Sequence, residues 1–192
     1  MIMNWKQLRL ILIIAVCSIA MLACQGSRAR ISVGKAEETL AEIVDFNGET
    51  HAESDVDRLR SLISDTNQLL AEGANSEALD TANQARELSE ETLQNVLREE
   101  ARASWDEAQQ MIQIGNRNNL RTREPNIAAN NDELLSQGQA LRAEADPDYR
   151  EIIRVSREII QNVDTGISSV RLEAERDRKS TRLNSSHVCS SR

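Results

Sequence analysis

Side chains able to do chemistry are few in this chain of 192 residues. There are three cysteines, Cys17, Cys24 and Cys189, and two histidines, His51 and His187. Cys24 is the best placed, because it closes an apolar run as Met21-Leu22-Ala23-Cys24. Its thiol is open to modification, and so is its amine if the chain is cut before it. His51 lies near Glu49 and Glu53 in a turn, which offers one metal ligand where a structural zinc needs four. No serine sits in a G-x-S-x-G turn, and no glycine-rich phosphate loop is present. Carboxylate pairs such as Glu90-Glu91 and Asp132-Glu133 abound on acidic helices, so they carry no signal. Glu99-Glu100, flanked by Arg98 and Arg102, reads as a solvated face. Six asparagines crowd between Asn116 and Asn131. Their amides suit glycan or peptide backbone, but turn formation is the simpler role. Phe46, Trp105 and Tyr149 are too few to line a ligand cleft, and core or hairpin-end packing is expected of them. The expectation is a protein that is not an enzyme, with no catalytic residue, no metal and no cofactor.

The element that positions Cys24 is the apolar run before it. Lys6 and Arg9 give a positive start, and Leu10 to Ala20 is almost unbroken apolar sequence, the pattern of a secretory signal. It is short for a membrane span, which takes about 20 apolar residues. Leu22, Ala23 and Cys24 resemble a bacterial lipobox, with Met21 in place of the more usual Leu. That resemblance implies removal of residues 1–23, a diacylglyceryl group on the Cys24 thiol and a further acyl chain on its amine. Several acyl chains exceed the two signals that stable anchoring requires. Gln25, rather than an aspartate, favours the outer membrane in a two-membrane cell. The expected address is the bacterial cell envelope, lipid-anchored, at the outer membrane and facing the periplasm. An uncleaved N-terminal anchor with an incidental thiol is the alternative.

At the other end, Asp177 to His187 reads DRKSTRLNSSH. This resembles, codon for codon, the translation of a common short-read sequencing adaptor. Residues 177–192 are therefore expected to be an artefact tail, with the natural C-terminus elsewhere. By composition alone they would read as a polar, serine-rich disordered tail.

The whole chain has 23 basic and 31 acidic residues, net −8. Setting aside Lys6 and Arg9 in the signal, and Arg178, Lys179, Arg182, Arg192 and Asp177 in the tail, leaves 17 basic and 30 acidic residues, net −13. Such a surface repels nucleic acid and anionic headgroups, so no nucleic-acid partner is expected. Within residues 24–176 only Cys24 remains, so no disulfide can form inside one chain.

The periodicity is helical throughout, which predicts an all-α fold of elongated antiparallel hairpins. Residues 24–32 read as a small, polar, lipidated tether. Ala36, Leu40, Ile43 and Val44 mark a first helix that stops at Asn47-Gly48. Ser54-x-x-Asp57 resembles a capping box, followed by the stripe Val56, Leu59, Ile63, Thr66 and Leu70. Gly73 supplies a left-handed stop, and a long helix follows from about Ser76 to Ile112. Residues 33–112 thus form a first helical unit running into that long helix. Residues 113–176 form a second hairpin: Pro125 suits a first helical position, and Asp146-Pro147 signals the start of the last helix. Leu59, Ile63 and Leu70 should face the next helix across the Gly73 turn, with Ile63 among the most buried residues.

A faint repetition links the two halves. Cap, long striped helix and Arg86-Glu87 recur about 71 residues on as Asp146, the last helix and Arg157-Glu158. Either two related units or the general likeness of amphipathic helices accounts for it. The stretch from Ala36 through Leu93, with its G-x-x-x-E-A turn at Gly73 to Ala78, resembles a family of bacterial envelope lipoproteins often found beside OmpA-like peptidoglycan-binding domains. The resemblance implies no catalytic residue. The expected function is a membrane-anchored structural or protein-interaction spacer, its partners the membrane, through lipid on Cys24, and an envelope protein or peptidoglycan. The alternatives are a peptidoglycan or small envelope-ligand binding module, and a fragment of a larger enzyme or multidomain protein. A binding module should show a pocket with convergent polar groups near Asn116 to Asn131.

Overall fold

The computed structural model describes the backbone of residues 5–189 and the side-chain surroundings of residues 24–179. The side chains of residues 5–23, including Lys6, Arg9, Leu22 and Ala23, and those beyond Lys179, including Cys189, lie outside the described residues. Among the described residues there are seven α-helices and no strand: α1 (Trp5–Asp45), α2 (Gly48–His51), α3 (Glu53–Glu72), α4 (Asn75–Arg117), α5 (Leu120–Arg123), α6 (Pro125–Arg142) and α7 (Tyr149–Cys189). The protein is all-α. Its packing divides it between Leu97 and Arg98, inside α4, into two compact units. The sequence-based division at 112 and 113 had followed the end of the apolar stripe instead.

The first unit holds α1, α2, α3 and the opening of α4. Helix α1 packs on α3, and Ser32 Oγ donates to Asn83 Oδ1 of α4 at 3.2 Å. Val56, Leu59 and Thr66 of α3 are fully buried, while Ile63 retains 9% exposure and Leu70 is half-buried. The stripe is thus a core, although Ile63 is not its deepest residue. Gly73, at φ 77, ends α3, and its N–H returns to Leu70 O, so α4 begins two residues later.

The second unit holds the rest of α4 with α5, α6 and α7. Its core gathers Trp105 and Ala108 of α4, Leu120 of α5, Leu134 of α6, and Val155, Ile159, Val163 and Ile167 of α7. Two glycines let backbones approach. A Cβ on Gly138 would lie 2.1 Å from Trp105 Cζ3, and one on Gly166 would lie 2.4 Å from Leu120 Cδ1. Gly166 leaves α7 intact and makes room for Leu120.

The two units repeat one plan. Asn47 and Asn119, 72 positions apart, are both left-handed, at φ 60 and 59. Each is followed by a single helical turn, then by a residue at φ −150 (Ala52) or −129 (Glu124) that starts the next helix. Asparagine tolerates that left-handed conformation better than most residues. Buried Ala29, Val33, Ala36 and Ile43 of α1 match buried Ala101, Trp105, Ala108 and Gly115 of α4 at the same interval. Ala78, Ala82, Ala85 and Ser89 of α4 match Ile152, Ser156, Ile159 and Val163 of α7, 74 positions on. Even an ion pair recurs with its signs exchanged: Glu49–Arg60 in the first unit, Arg121–Asp132 in the second. Amphipathicity alone would not copy a reversed ion pair and a left-handed asparagine to matching positions.

Three local expectations are corrected. Residues 25–32 are not a loose tether but part of α1, with Gly26 and Ala29 buried. Gly26, Ala29, Val33 and Ala36 form one small-residue stripe, while Ser27, Arg28 and Arg30 face out. Ser54 does not cap α3, which starts earlier at Glu53 with no side-chain cap; Asp57 instead accepts from Arg60 at 3.3 Å. Asp146 does not cap α7. The carboxylate of Asp148 accepts from Glu151 N–H at 3.1 Å, the reach from an N-cap to the third helical residue.

Candidate functional site

Cys24 is exposed on α1, and the thiol is free. Gly26, two residues on, lies against Asn75 Oδ1, so Cys24 belongs to the end of the first unit where α3 turns into α4. Among the described residues no helix is long and apolar enough to cross a membrane. No group of three His, Cys, Asp or Glu side chains able to hold a metal occurs there either. His51 closes α2, half-buried.

The asparagines do not converge. Asn119 shapes the left-handed turn, and Asn118 Nδ2 donates to Ile114 O at 2.8 Å. Asn131 is buried and accepts from Asn162 Nδ2 at 3.3 Å. Asn126 and Asn130 are exposed on α6. Asn116 and Asn131 do border a cavity, but it measures about 10 Å³, room for a single water. The matching notch in the first unit, between α1 and α3, is an open apolar hollow of about 440 Å³ floored by Leu40, Val44 and Ile63.

Glu99-Glu100 is not one solvated face. Glu99 is exposed, but Glu100 is buried in the second unit and accepts from Arg157 of α7 at 2.8 Å. This half-buried pair ties α4 to α7. It leaves Arg98 and Arg102 on the outer side of α4, where they line a cleft of about 460 Å³ with Asp106, Arg142, Tyr149 and Ile152. The Arg142 guanidinium stands 5.2 Å from the centroid of the Trp105 ring, within cation–π range. The cleft lies where α6 turns into α7, and Ala101 and Ile152 supply its buried apolar floor. Sequence reasoning missed it because Arg142 and Tyr149 stand 44 and 51 positions from Arg98. The available signal was Arg98-x-x-x-Arg102, a like-charge pair one helical turn apart, which costs a helix stability.

Elsewhere two surface ion pairs shift the titration of their members. Glu151 accepts two bonds from Arg154, at 2.7 and 2.8 Å, and the guanidinium holds its carboxyl below the usual carboxylate range. Arg60 is raised, chiefly by its hydrogen bond to Glu49.

No family model, no curated protein and no solved structure matches this chain.

Proposed function

We propose that the chain is a lipid-anchored protein of the bacterial cell envelope that works by contact and not by catalysis. The observation that carries this reading is the apolar run ending at Met21-Leu22-Ala23-Cys24, behind a positive start at Lys6 and Arg9. Exposure of Cys24 at the outer face of α1 is compatible with its thiol meeting an acyl donor. Cleavage before Cys24 would leave α1 to begin where Gly26 seats against Asn75, so the lipid would hold the α3–α4 end of the first unit toward the membrane. The helical faces pointing away would then meet an envelope protein or the wall polymer, which is a spacer's task. The outer membrane, facing the periplasm, is the address that Gln25 favours. The test is acyl labelling and detergent partitioning of the full chain in a bacterial host. The parent should incorporate fatty acid and the Cys24→Ala variant should not; labelled Cys24→Ala protein would overturn the reading.

A second reading, a binding module, is favoured by the arginine-lined cleft of the second unit. It is compatible with the first, since an anchored protein can also hold a small ligand.

A further inference from the structure

We propose that the cleft lined by Arg98, Arg102, Arg142 and Tyr149 binds a phosphate-bearing ligand. Its volume of about 460 Å³ falls among small-molecule sites, which run from about 300 to 1,000 Å³. Three arginines line it, and none of the three is in an ion pair among the described residues. Arg60, Arg86, Arg121, Arg123, Arg154 and Arg157 are paired, whereas Arg28, Arg30 and Arg58 of the first unit stand without an ion pair among the described residues, as these three do. Arg98 and Arg102 stand one helical turn apart, a like-charge spacing that costs a helix stability. Asp106 is the single carboxylate in the lining, which leaves a surplus of two positive charges. A phosphomonoester carries about −1.5 to −2 at neutral pH and three acceptor oxygens, which matches that surplus and the arginine fork. A single carboxylate would match only half of it.

The first unit shows that the bundle does not need this cleft. At the corresponding end its helices join through two residues, Gly73 and Ala74, whereas α6 and α7 are joined by the six residues 143–148. Where Arg98 stands in the second unit the first has Gly26, closed over by Asn75 Oδ1, and where Asp106 stands it has Gly34. Gly26 is closed over and Gly34 is open, while Arg102 keeps an arginine counterpart in Arg30, so the second unit adds Arg98 and Asp106 to a position that was already basic. Tyr149 and Ile152 provide a polar tip and an apolar wall for the organic part of the ligand. Arg142 lines the cleft and stands over Trp105.

That stacking supplies the readout. The full chain carrying Trp5→Phe, in neutral detergent, reports through Trp105 alone. It is titrated with inorganic pyrophosphate, and separately with dioctanoyl phosphatidic acid against dioctanoylglycerol, at constant ionic strength. A saturable change in emission with pyrophosphate, weakened about tenfold or more by Arg98→Gln or Arg102→Gln and unaffected by Arg121→Gln, supports a soluble phosphate ligand. The same pattern with phosphatidic acid alone supports a phospholipid headgroup. Arg102→Lys, which keeps the charge but loses the fork, should lie between parent and Arg102→Gln. The proposal is overturned if neither probe gives a saturable change. It is also overturned if citrate acts as pyrophosphate does, or if a folded Arg98→Gln/Arg102→Gln variant, checked by circular dichroism, binds as the parent does.

Discussion

At Gly138 the helix backbone of α6 lies against the face of an indole, and a Cβ would fall 2.1 Å from Trp105 Cζ3. Trp105 is fully buried, so neither partner has room to withdraw. Gly138→Ala should therefore destabilise the protein by about 1–3 kcal/mol, although alanine is the better helix former. Urea unfolding followed by circular dichroism checks this, and an unchanged or raised midpoint would show that the contact is looser than drawn. Glu151 gives a prediction with a sign. Its folded pKa is depressed by Arg154, so its contribution is present above the ordinary carboxylate range and lost as pH falls through the folded value. Glu151→Gln should be less stable than the parent at neutral pH, and the gap should close on acidification. A gap independent of pH would mean that the pair does not act through charge. Glu100 is a different case, because it is buried against Arg157. Glu100→Ala removes one partner of that pair and should cost about 1–3 kcal/mol.

Among the helices, α3 shows how a stripe becomes a core. Leu59 is fully buried in it, and Leu59→Ala should cost about 2–5 kcal/mol by lost transfer energy and the cavity left behind. Thermal unfolding measures this, and a shift as small as that of the exposed Asp65→Ala would mean that the stripe does not pack. Helix α7 is the opposite lesson. Its backbone runs on to Cys189; among the described residues its last half-buried positions are Val170 and Ala174, and Glu175 to Lys179 are exposed. Deleting residues 177–192 should accordingly leave the unfolding midpoint unchanged. A drop of several degrees, worth about 1 kcal/mol or more, would show that the adaptor-like stretch packs on the fold.

On the scale of the molecule, the chain uses one three-helix plan twice, with α4 serving as the last helix of one unit and the first of the next. The core of the second unit, from Trp105 to Ile167, is contributed wholly by residues after Leu97. A fragment of residues 98–176 should therefore fold by itself, with a cooperative thermal transition by circular dichroism. A fragment without one would mean that the first unit is needed to hold α4 in place. The copies have diverged where their helices turn, and there the second unit carries Arg98, Arg102 and Arg142. The reversed ion pair, Glu49–Arg60 against Arg121–Asp132, shows the same plan tolerating opposite signs where only complementarity matters.

The sequence by itself determined the helical class, because periodicity and turn residues are local properties. Asn47-Gly48, Gly73 and Pro125 end or begin helices where the chain chemistry requires it, and each stands at such a place in the structure. The apolar run to Cys24 is likewise a property of the sequence alone. The tertiary structure decided what depends on distance in space. It turned residues 25–32 from a tether into a packed face, because Gly26 and Ala29 find Asn75 and their neighbours only when the bundle closes. It separated Glu100 from Glu99, since adjacent helical residues point about 100° apart and only one of them meets Arg157. It brought Arg142 and Tyr149 to Arg98 and Arg102, a meeting that depends on the length of the α6–α7 connection and on no local motif.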